Sequence, residues 1–331
     1  MFKKSSDAGI FLWMTYQTMQ NMGLDAESIF ASVNLPNQPP DKTIRRDNST
    51  QYRFWNAAEI ISKDQDIGLH VGSQMPAFRG LVIEYLFLSS STFGEGLKRA
   101  LKYQALLTDV FDLTLTVEQD KAILSGFEHS VRHYLEAAIG IFLNFFKYIT
   151  NNSFAPTEIH LTYSKGASND NYKKVWKCPG VLGQSTGAII FPSTLLQQVS
   201  PAAEPELLRV HENIAEQQLA NLEKHRLIYA IERLLGNGLL ESGNFDQKFI
   251  AEQLNRNPRT LRADLQAINT SYEQILNHYR ERLARRLLAH TQESIDQIVY
   301  LTGFSEPSAF TRAFKRWTGE TPSAYRQRKQ K

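Results

Sequence analysis

The sequence predicts an α+β domain followed by an all-α domain in which two helix-turn-helix motifs are joined by a linker helix. Three observations lead there. Strand-like alternation and helical periodicity are mixed over the first two hundred or so residues, whereas only helical periodicity follows. The second region is basic: from Glu223 to the end there are 18 Lys and Arg against 12 Asp and Glu, so the rest of the chain is slightly acidic. And one local pattern, a short amphipathic helix, a tight turn and a second amphipathic helix, occurs twice, 48 or 49 residues apart.

In the N-terminal region, Phe11, Met14, Tyr16 and Met19 mark a first helix closed near Gly23. Asn34 to Asp41 carries Pro36, Pro39 and Pro40 and reads as a loop; Tyr52 to Ser62 reads as a second helix. Asp112 to Val117 sets Leu113, Leu115 and Val117 against Thr114 and Thr116, the alternation of a half-buried strand, and Ala122 to Phe127 pairs with it across Glu118 to Lys121. Leu135 to Ile149 is a strongly apolar helix, Glu158 to Tyr163 alternates again, and Gly187 to Phe191 is a short buried strand stopped by Pro192. These elements define a domain over residues 5–197. Ser200 to Pro205, with two prolines, opens a connecting segment over 198–225, whose residues from Glu206 to His225 are helical; the all-α domain covers 226–328.

Composition narrows the classes. Of 331 residues, 42% are hydrophobic and 21% charged, which is globular usage, so disorder is not expected. Cys178 is the lone cysteine, so no intrachain disulfide or four-ligand cysteine-rich zinc site is possible, and a buried apolar role is expected for it. Lys3 and Lys4 before the run Gly9 to Tyr16 imitate a signal peptide, but Asp7 interrupts the pattern and no cleavage site follows. No stretch reaches the ~18 apolar residues of a membrane span, and Ala137 to Phe146 is too short. A cytoplasmic protein without membrane contact is expected.

The C-terminal motif is the clearer of the two. Ser294 caps a helix with Gln297 at the capping-box position, and Ile295, Ile298 and Val299 form its inner face. Gly303 stands where the turn needs a positive φ, Phe304 packs beneath, Ser305 is expected to cap the second helix, and Pro307 falls in that helix's first turn. Phe310, Phe314 and Trp317 face inward; Ser308, Thr311, Arg312, Lys315 and Arg316 face out. Earlier in the chain, Phe249, Ile250, Ala251 and Leu254 make the first helix of the other motif. There Asn255 replaces the turn glycine, Pro258 matches Pro307, Leu261 and Leu265 match Phe310 and Phe314, and the outer face holds Arg256, Asn257, Arg259, Thr260 and Arg262. A short helix with a basic outer face behind such a turn is the geometry that enters a major groove. Arg259, Arg262, Thr311 and Arg312 are the candidates for base edges, since Arg pairs with guanine and Thr meets a thymine methyl. Lys315, Arg316, Arg256, Asn257 and Ser308 are candidates for phosphate or positioning contacts, and Thr260 is a DNA-facing candidate without an assigned class. Between the motifs, Tyr272 to Leu288 reads as one helix with the stripe Ile275, Tyr279, Leu283 and Leu287. At 1.5 Å per residue it spans about 26 Å, of the order of one DNA turn.

The stretch Ser294 to Arg326, with Gly303-Phe304, Phe310, Phe314-Lys315, Gly319, Pro322 and Tyr325-Arg326, resembles the C-terminal signature of AraC/XylS-type regulators. Asn257 to Leu261 resembles the first-motif signature, and Arg280, Ala284 and Leu287-Leu288 its linker helix. This resemblance spans about 100 residues. The first domain, through Asp66 to Leu69, Gly80, Ser91 to Leu97 and Tyr103, is similar to the effector-sensing domain called arabinose-binding type. The resemblance implies a regulator, usually an activator, with promoter DNA, RNA polymerase and an unidentified small-molecule effector as partners, a homodimer as a possible assembly, and no cofactor. Asp264 and Asn269 depart from the usual pattern of such motifs, where basic residues and glycine are common.

Rival readings are weaker. Gly183-Gln-Ser185-Thr-Gly187 fits the Gly-x-Ser-x-Gly of a nucleophile elbow, but that motif needs a strand before and a helix after, and here a loop enters a strand. His129 and His133 have a metal-ligand spacing without an obvious third ligand. An architectural or repair-associated DNA-binding protein without an effector is the alternative function. Phe78, Tyr85, Phe87, Tyr103, Phe111, Phe127, Tyr134 and Phe142 are aromatic enough to line a pocket and equally suited to a core.

Overall fold

The computed structural model describes residues 5–36 and 38–330; Lys3, Lys4 and Lys331 lie outside them. The chain forms two compact units, divided between Leu219 and Ala220.

The first unit begins with a two-residue strand, β1 (Ser6–Asp7), paired antiparallel with β2 (Arg46–Asp47), Asp7 opposite Arg46. Between them lie α1 (Gly9–Asn21) and α2 (Ala26–Ala31). The latter was not legible in the sequence: it is six residues long and starts on the Asp25 side chain, which accepts from Ser28 N. A 3-10 turn at Asn48–Thr50 leads into α3 (Gln51–Ser62), followed by α4 (Ile67–Gln74), α5 (Val82–Ser89) and α6 (Phe93–Lys102). Then come the hairpin β3 (Thr114–Glu118) and β4 (Lys121–Ser125), α7 (Arg132–Ile149), β5 (Glu158–His160), α8 (Asn169–Trp176), β6 (Gly180–Val181) and β7 (Ala188–Pro192). The second sheet has the order β3-β4-β7-β5-β6.

The half-burial expected over Asp112 to Val117 holds at Leu113, which is buried, and at Leu115, which is half-buried, but fails at Val117. β3 is the outermost strand, and Val117 is 54% exposed, while Ala122 and Leu124 of β4, one place further in, are buried. The apolar helix α7 is the axis of the unit and is buried along most of its length. It lies so close to α4 that a Cβ on Gly72 would stand 2.6 Å from the Ala137 Cα, which is why both helices carry glycine at the crossing. A cluster of stacked and edge-on rings, with Phe78 and Phe145 stacked at 3.9 Å, fills the space between α5, α6 and α7.

Helix α9 (Pro205–Leu234) runs nine residues beyond the expected end at His225. Arg226 to Leu234 holds only good or neutral helix formers, and the first glycine is Gly236. Leu208, Ala215 and Leu219 of α9 join the core of the first unit; Leu227, Ile228, Ile231 and Leu234 join that of the second. The helical path then widens over Leu235–Leu239, breaks at Asn237 and Gly238, and gives the short α10 (Leu240–Ser242). The rest of the second unit is α11 (Gln247–Gln253), α12 (Pro258–Ala267), α13 (Tyr272–His290), α14 (Ile295–Leu301), α15 (Pro307–Thr318) and α16 (Pro322–Lys329). Most starts are side-chain capped: Asp246, Asn257, Ser294 and Thr321 each accept a backbone N–H, and Ser271 with Gln274 forms a complete capping box.

The second unit has two separate small cores. Ile250, Ala251, Leu261 and Leu265 pack with Tyr272, Ile275 and Leu276 from the first half of α13. Ile298, Val299, Phe310, Phe314 and Tyr325 pack with Ala284 and Leu288 from its second half. The expected single stripe on α13 is therefore replaced by two. Ala284 and Leu288 are fully buried, while Tyr279, Leu283 and Leu287 are only half-buried, because the helix must serve a different neighbour at each end.

Candidate nucleic-acid interface and ligand cavity

The two turns close in the same way. In the first, Asn255 has φ 53°, its N–H donates to Glu252 O at 3.0 Å, and Arg256 N–H reaches back to Ala251 O at 2.8 Å. In the second, Gly303 has φ 69°, with Gly303 N to Tyr300 O at 2.9 Å and Phe304 N to Val299 O at 3.0 Å. This is the glycine-type helix end, and asparagine is the side chain that tolerates it best. Gly303 has a second reason to lack a side chain: a Cβ there would stand 3.2 Å from Leu240 O and 3.3 Å from the Arg280 guanidinium. Asn269 also takes a positive φ, 55°, at the end of α12, doing the work of the glycine more usual there.

Helices α12 and α15 are the second helices of the two motifs, and both start with proline. Asn257 caps α12, its Oδ1 accepting from Arg259 N at 2.8 Å. The cap expected on Ser305 is not formed. Glu306 occupies the N-cap position of α15 without a side-chain cap bond, because Pro307 starts the helix one residue later than a Ser305 cap requires. The Glu306 carboxylate instead accepts from the Ser308 hydroxyl at 3.2 Å.

On α12, Arg259, Thr260 and Arg262 are exposed; on α15, Ser308, Arg312, Lys315 and Arg316 are exposed and Thr311 is half-buried. Among the described residues no ion pair engages Arg259, Arg262, Arg312, Lys315 or Arg316. Arg256 differs. It makes a charge-assisted bond to Asp264, which draws its guanidinium along α12 and neutralises it. The departure at Asp264 thus has a partner on its own helix.

Arg280 of α13, known from the sequence only as part of a resemblance, proves to be a structural centre. It donates to Thr302 O at 2.9 Å and to Gly303 O at 2.6 Å, and its guanidinium lies 4.5 Å from the Phe304 ring and 4.9 Å from that of Phe245. It is half-buried, and burial works against its charge. No spacing rule would have found it, since its partners lie 22 and 23 residues away on main-chain oxygens.

The first unit holds a cavity of about 260 Å³. Phe111, Tyr134 and Phe142 line it, along with Phe54, Trp55 and Met75. Of the other aromatic candidates, Phe78, Phe87, Tyr103 and Phe127 are core residues away from this lining, and Tyr85 is 42% exposed. At one end Asp7 is buried, accepting from Thr108 Oγ1 at 2.7 Å, Tyr134 OH at 2.9 Å and Asn48 Nδ2 at 3.0 Å; burial raises its carboxyl above the usual range. His129 extends this chain. Its Nδ1 accepts from Val131 N–H at 3.0 Å, so Nε2 carries the proton and meets Asn48 Oδ1 at 2.6 Å. His133 turns elsewhere, to Glu59 at 3.0 Å, and no group of three metal-binding side chains exists among the described residues. Ser185 lies on an exposed loop that enters β7, with a strand and not a helix after it.

The comparisons with known proteins agree at both ends of the chain. Residues 23–199 match the model of the arabinose-binding domain of AraC transcription regulators, N-terminal, more than half of the sequence. The chain belongs to the AraC family. In this AraC-family member residues 250–328 also match a helix-turn-helix domain, spanning both turns. The ornithine utilization regulator of Pseudomonas aeruginosa is 28% identical over 278 residues, 82% of this chain and 81% of its own length. The HTH-type transcriptional regulator VirS of Mycobacterium tuberculosis is 34% identical over 126 residues, 38% of this chain and 36% of its own. The crystal structure of the transcriptional regulator CdpR from Pseudomonas aeruginosa aligns over 95% of this chain and 98% of that one, with a TM-score of 0.42 and 17% identity. The AraC-family chain is a DNA-binding transcription regulator and not an enzyme. Among its described residues no helix is long and apolar enough to cross a membrane.

Proposed function

We propose that this AraC-family regulator holds promoter DNA by placing α12 and α15 in two successive major grooves on one face of the duplex, and that a small molecule in the cavity of the first unit changes its affinity. Arg259, Arg262, Thr311 and Arg312 read base edges; Thr260, Lys315, Arg316, Asn257 and Ser308 hold phosphates and set the register. Arg256, engaged by Asp264, contributes least. The regulator acts as an activator that meets RNA polymerase at the promoter, in the cytoplasm, with a homodimer as its natural assembly.

One observation carries this reading. Two equivalent turns present equivalent helices whose cations Arg259, Arg262, Arg312, Lys315 and Arg316 have no ion-pair partner among the described residues, at the two ends of a 19-residue helix about 28 Å long. That length is close to the 34–36 Å of one DNA turn, and the shortfall is made up by a modest bend of the duplex.

The test is binding of the purified chain to the DNA upstream of its own and adjacent genes, at two salt concentrations, beside a scrambled duplex. Sequence-dependent binding that survives the higher salt is expected. Equal affinity for the scrambled duplex at both salts would remove the base-reading roles and leave only backbone contact. Transcription from the bound promoter, measured with and without candidate small molecules, tests the activator and effector claims.

A further inference from the structure

Most of the polar side chains that line the cavity are engaged with protein partners. Both Asp7 oxygens are taken by Thr108, Tyr134 and Asn48, which also uses the hydroxyls of Thr108 and Tyr134. Thr15 donates to Phe11 O at 2.8 Å, Trp55 Nε1 to Gln51 Oε1 at 2.9 Å, and Asp47 accepts from Ser49 N at 2.8 Å. Arg46 is the exception: its Nε is buried and has no hydrogen-bond partner. The exposed Asp41 feels the Arg46 charge but takes its own hydrogen bonds from Thr43. A buried donor left without an acceptor is costly, and a charged one most of all, so this atom marks where an acceptor belongs.

We infer that the cavity binds a small amphiphile bearing one carboxylate, the carboxylate on Arg46 and an apolar body among Phe54, Trp55, Met75 and Phe142. Guanidinium and carboxylate make the strongest and most directional pair available here. The volume of about 260 Å³ equals that of roughly nine waters at about 30 Å³ each, the scale of a monocarboxylic acid of about ten heavy atoms, which pack more tightly than water. A pentose fits poorly. It brings an oxygen on nearly every carbon, and the lining offers few groups that are not already satisfied by each other. An amine fits poorly as well, since both carboxylates of the lining are engaged and the one buried atom of the described lining without a partner is a donor.

The inference rests on the cavity being the effector site for its regulatory consequence, but the ligand class is read without DNA. Calorimetric titration of the full chain uses 3-phenylpropanoate, its amide, the corresponding 3-phenylpropylamine, octanoate and L-arabinose. A carboxylate is expected to bind at least tenfold more tightly than the amide, with the amine and the sugar weaker still. Arg46→Gln is expected to bring the acid down to the affinity of the amide and to leave the amide unchanged; Arg46→Lys is expected to restore part of the difference. Acid and amide binding alike, tighter binding of amine or sugar, no carboxylate binding at all, or an unchanged acid affinity in both variants would overturn the inference. The two claims fail separately. Carboxylate binding that leaves DNA affinity unmoved keeps the ligand class and removes the effector role; a sugar that shifts DNA affinity while no acid binds does the reverse.

Discussion

Arg280 Nη2 donates to the carbonyl oxygen of Gly303 at 2.6 Å, tying the middle of α13 to the turn of the second motif. The same guanidinium lies between Phe245, which packs on the core of the first motif, and Phe304, which packs on that of the second. Arg280→Leu removes both carbonyl bonds and leaves Thr302 O and Gly303 O facing an alkyl chain. Hydrogen bonds to a charged group contribute about 1.5–3 kcal/mol, so a loss of roughly 2–4 kcal/mol in the second unit is expected by urea denaturation. Arg280→Lys, with one point charge for two separated acceptors, is expected to recover less than half.

The two classes of DNA contact are separable. Arg312→Ala should cost about 1–3 kcal/mol on the best duplex and relax base preference at one position. Lys315→Ala should weaken all duplexes about equally and reduce the salt slope by about 1. Affinities over a set of single-base variants at two salt concentrations check both. If Arg312→Ala changes neither affinity nor preference, α15 does not enter the groove as proposed.

Asp264 neutralises Arg256, and so removal of either residue has unequal effects. Arg256→Ala leaves the Asp264 carboxylate unpaired and is expected to weaken binding to any duplex modestly. Asp264→Asn frees the guanidinium and removes a negative charge from the groove-facing helix, so binding to any duplex should tighten and the salt slope should steepen by about 1. Fluorescence anisotropy on a scrambled duplex measures this directly. In the double variant one positive and one negative charge are lost together, so the gain should disappear and affinity should return close to that of the parent chain.

His129 gives the pH dependence a definite sign. Burial lowers its folded pKa below 6.5, and Val131 N–H occupies the nitrogen that would take the second proton. Above pH 6.5 the ring is neutral in both folded and unfolded chains. Below it the unfolded chain takes up the proton first, so this group's contribution to stability is present at neutral pH and is lost as pH falls from 6.5 toward the lower folded value. His129→Gln keeps a donor toward Asn48 and cannot titrate. The fall in Tm between pH 7.5 and 5.5 should be smaller in the variant than in the parent chain.

The parts of this fold that could be read in advance are those governed by local rules. Gly303, Asn255 and the prolines behind them announce two turns, because a positive φ and a proline at the first helical position each restrict the residue allowed. The strong period of Phe310, Phe314 and Trp317 did the same for α15. What escaped depends on partners distant in sequence or on neighbours in space. The exposure of Val117 follows from β3 lying at a sheet edge, which alternation alone cannot express. The cavity draws residues from α1, α3, α7 and the loops between, and its aromatic lining has the same residue types as the core beside it, so composition could not separate Phe142 from Phe78. Asp264 reads in the sequence only as a departure from the usual basic pattern; its pairing with Arg256, eight residues earlier, depends on the fold.

Helix α13 lends side chains to two small cores that share no buried residue. Each motif therefore owns its hydrophobic free energy, and the helix between them is a common spine with two independently meltable ends. Amides in the first half of α13 should report the local stability of one motif and those in the second half that of the other, two foldons written into a single element. A substitution that loosens Leu261 or Leu265 frays one end of the spine while α14, capped by Ser294, and α15 remain in place. One motif is thereby free to accumulate changes, even to weaken its grip, without toppling its neighbour.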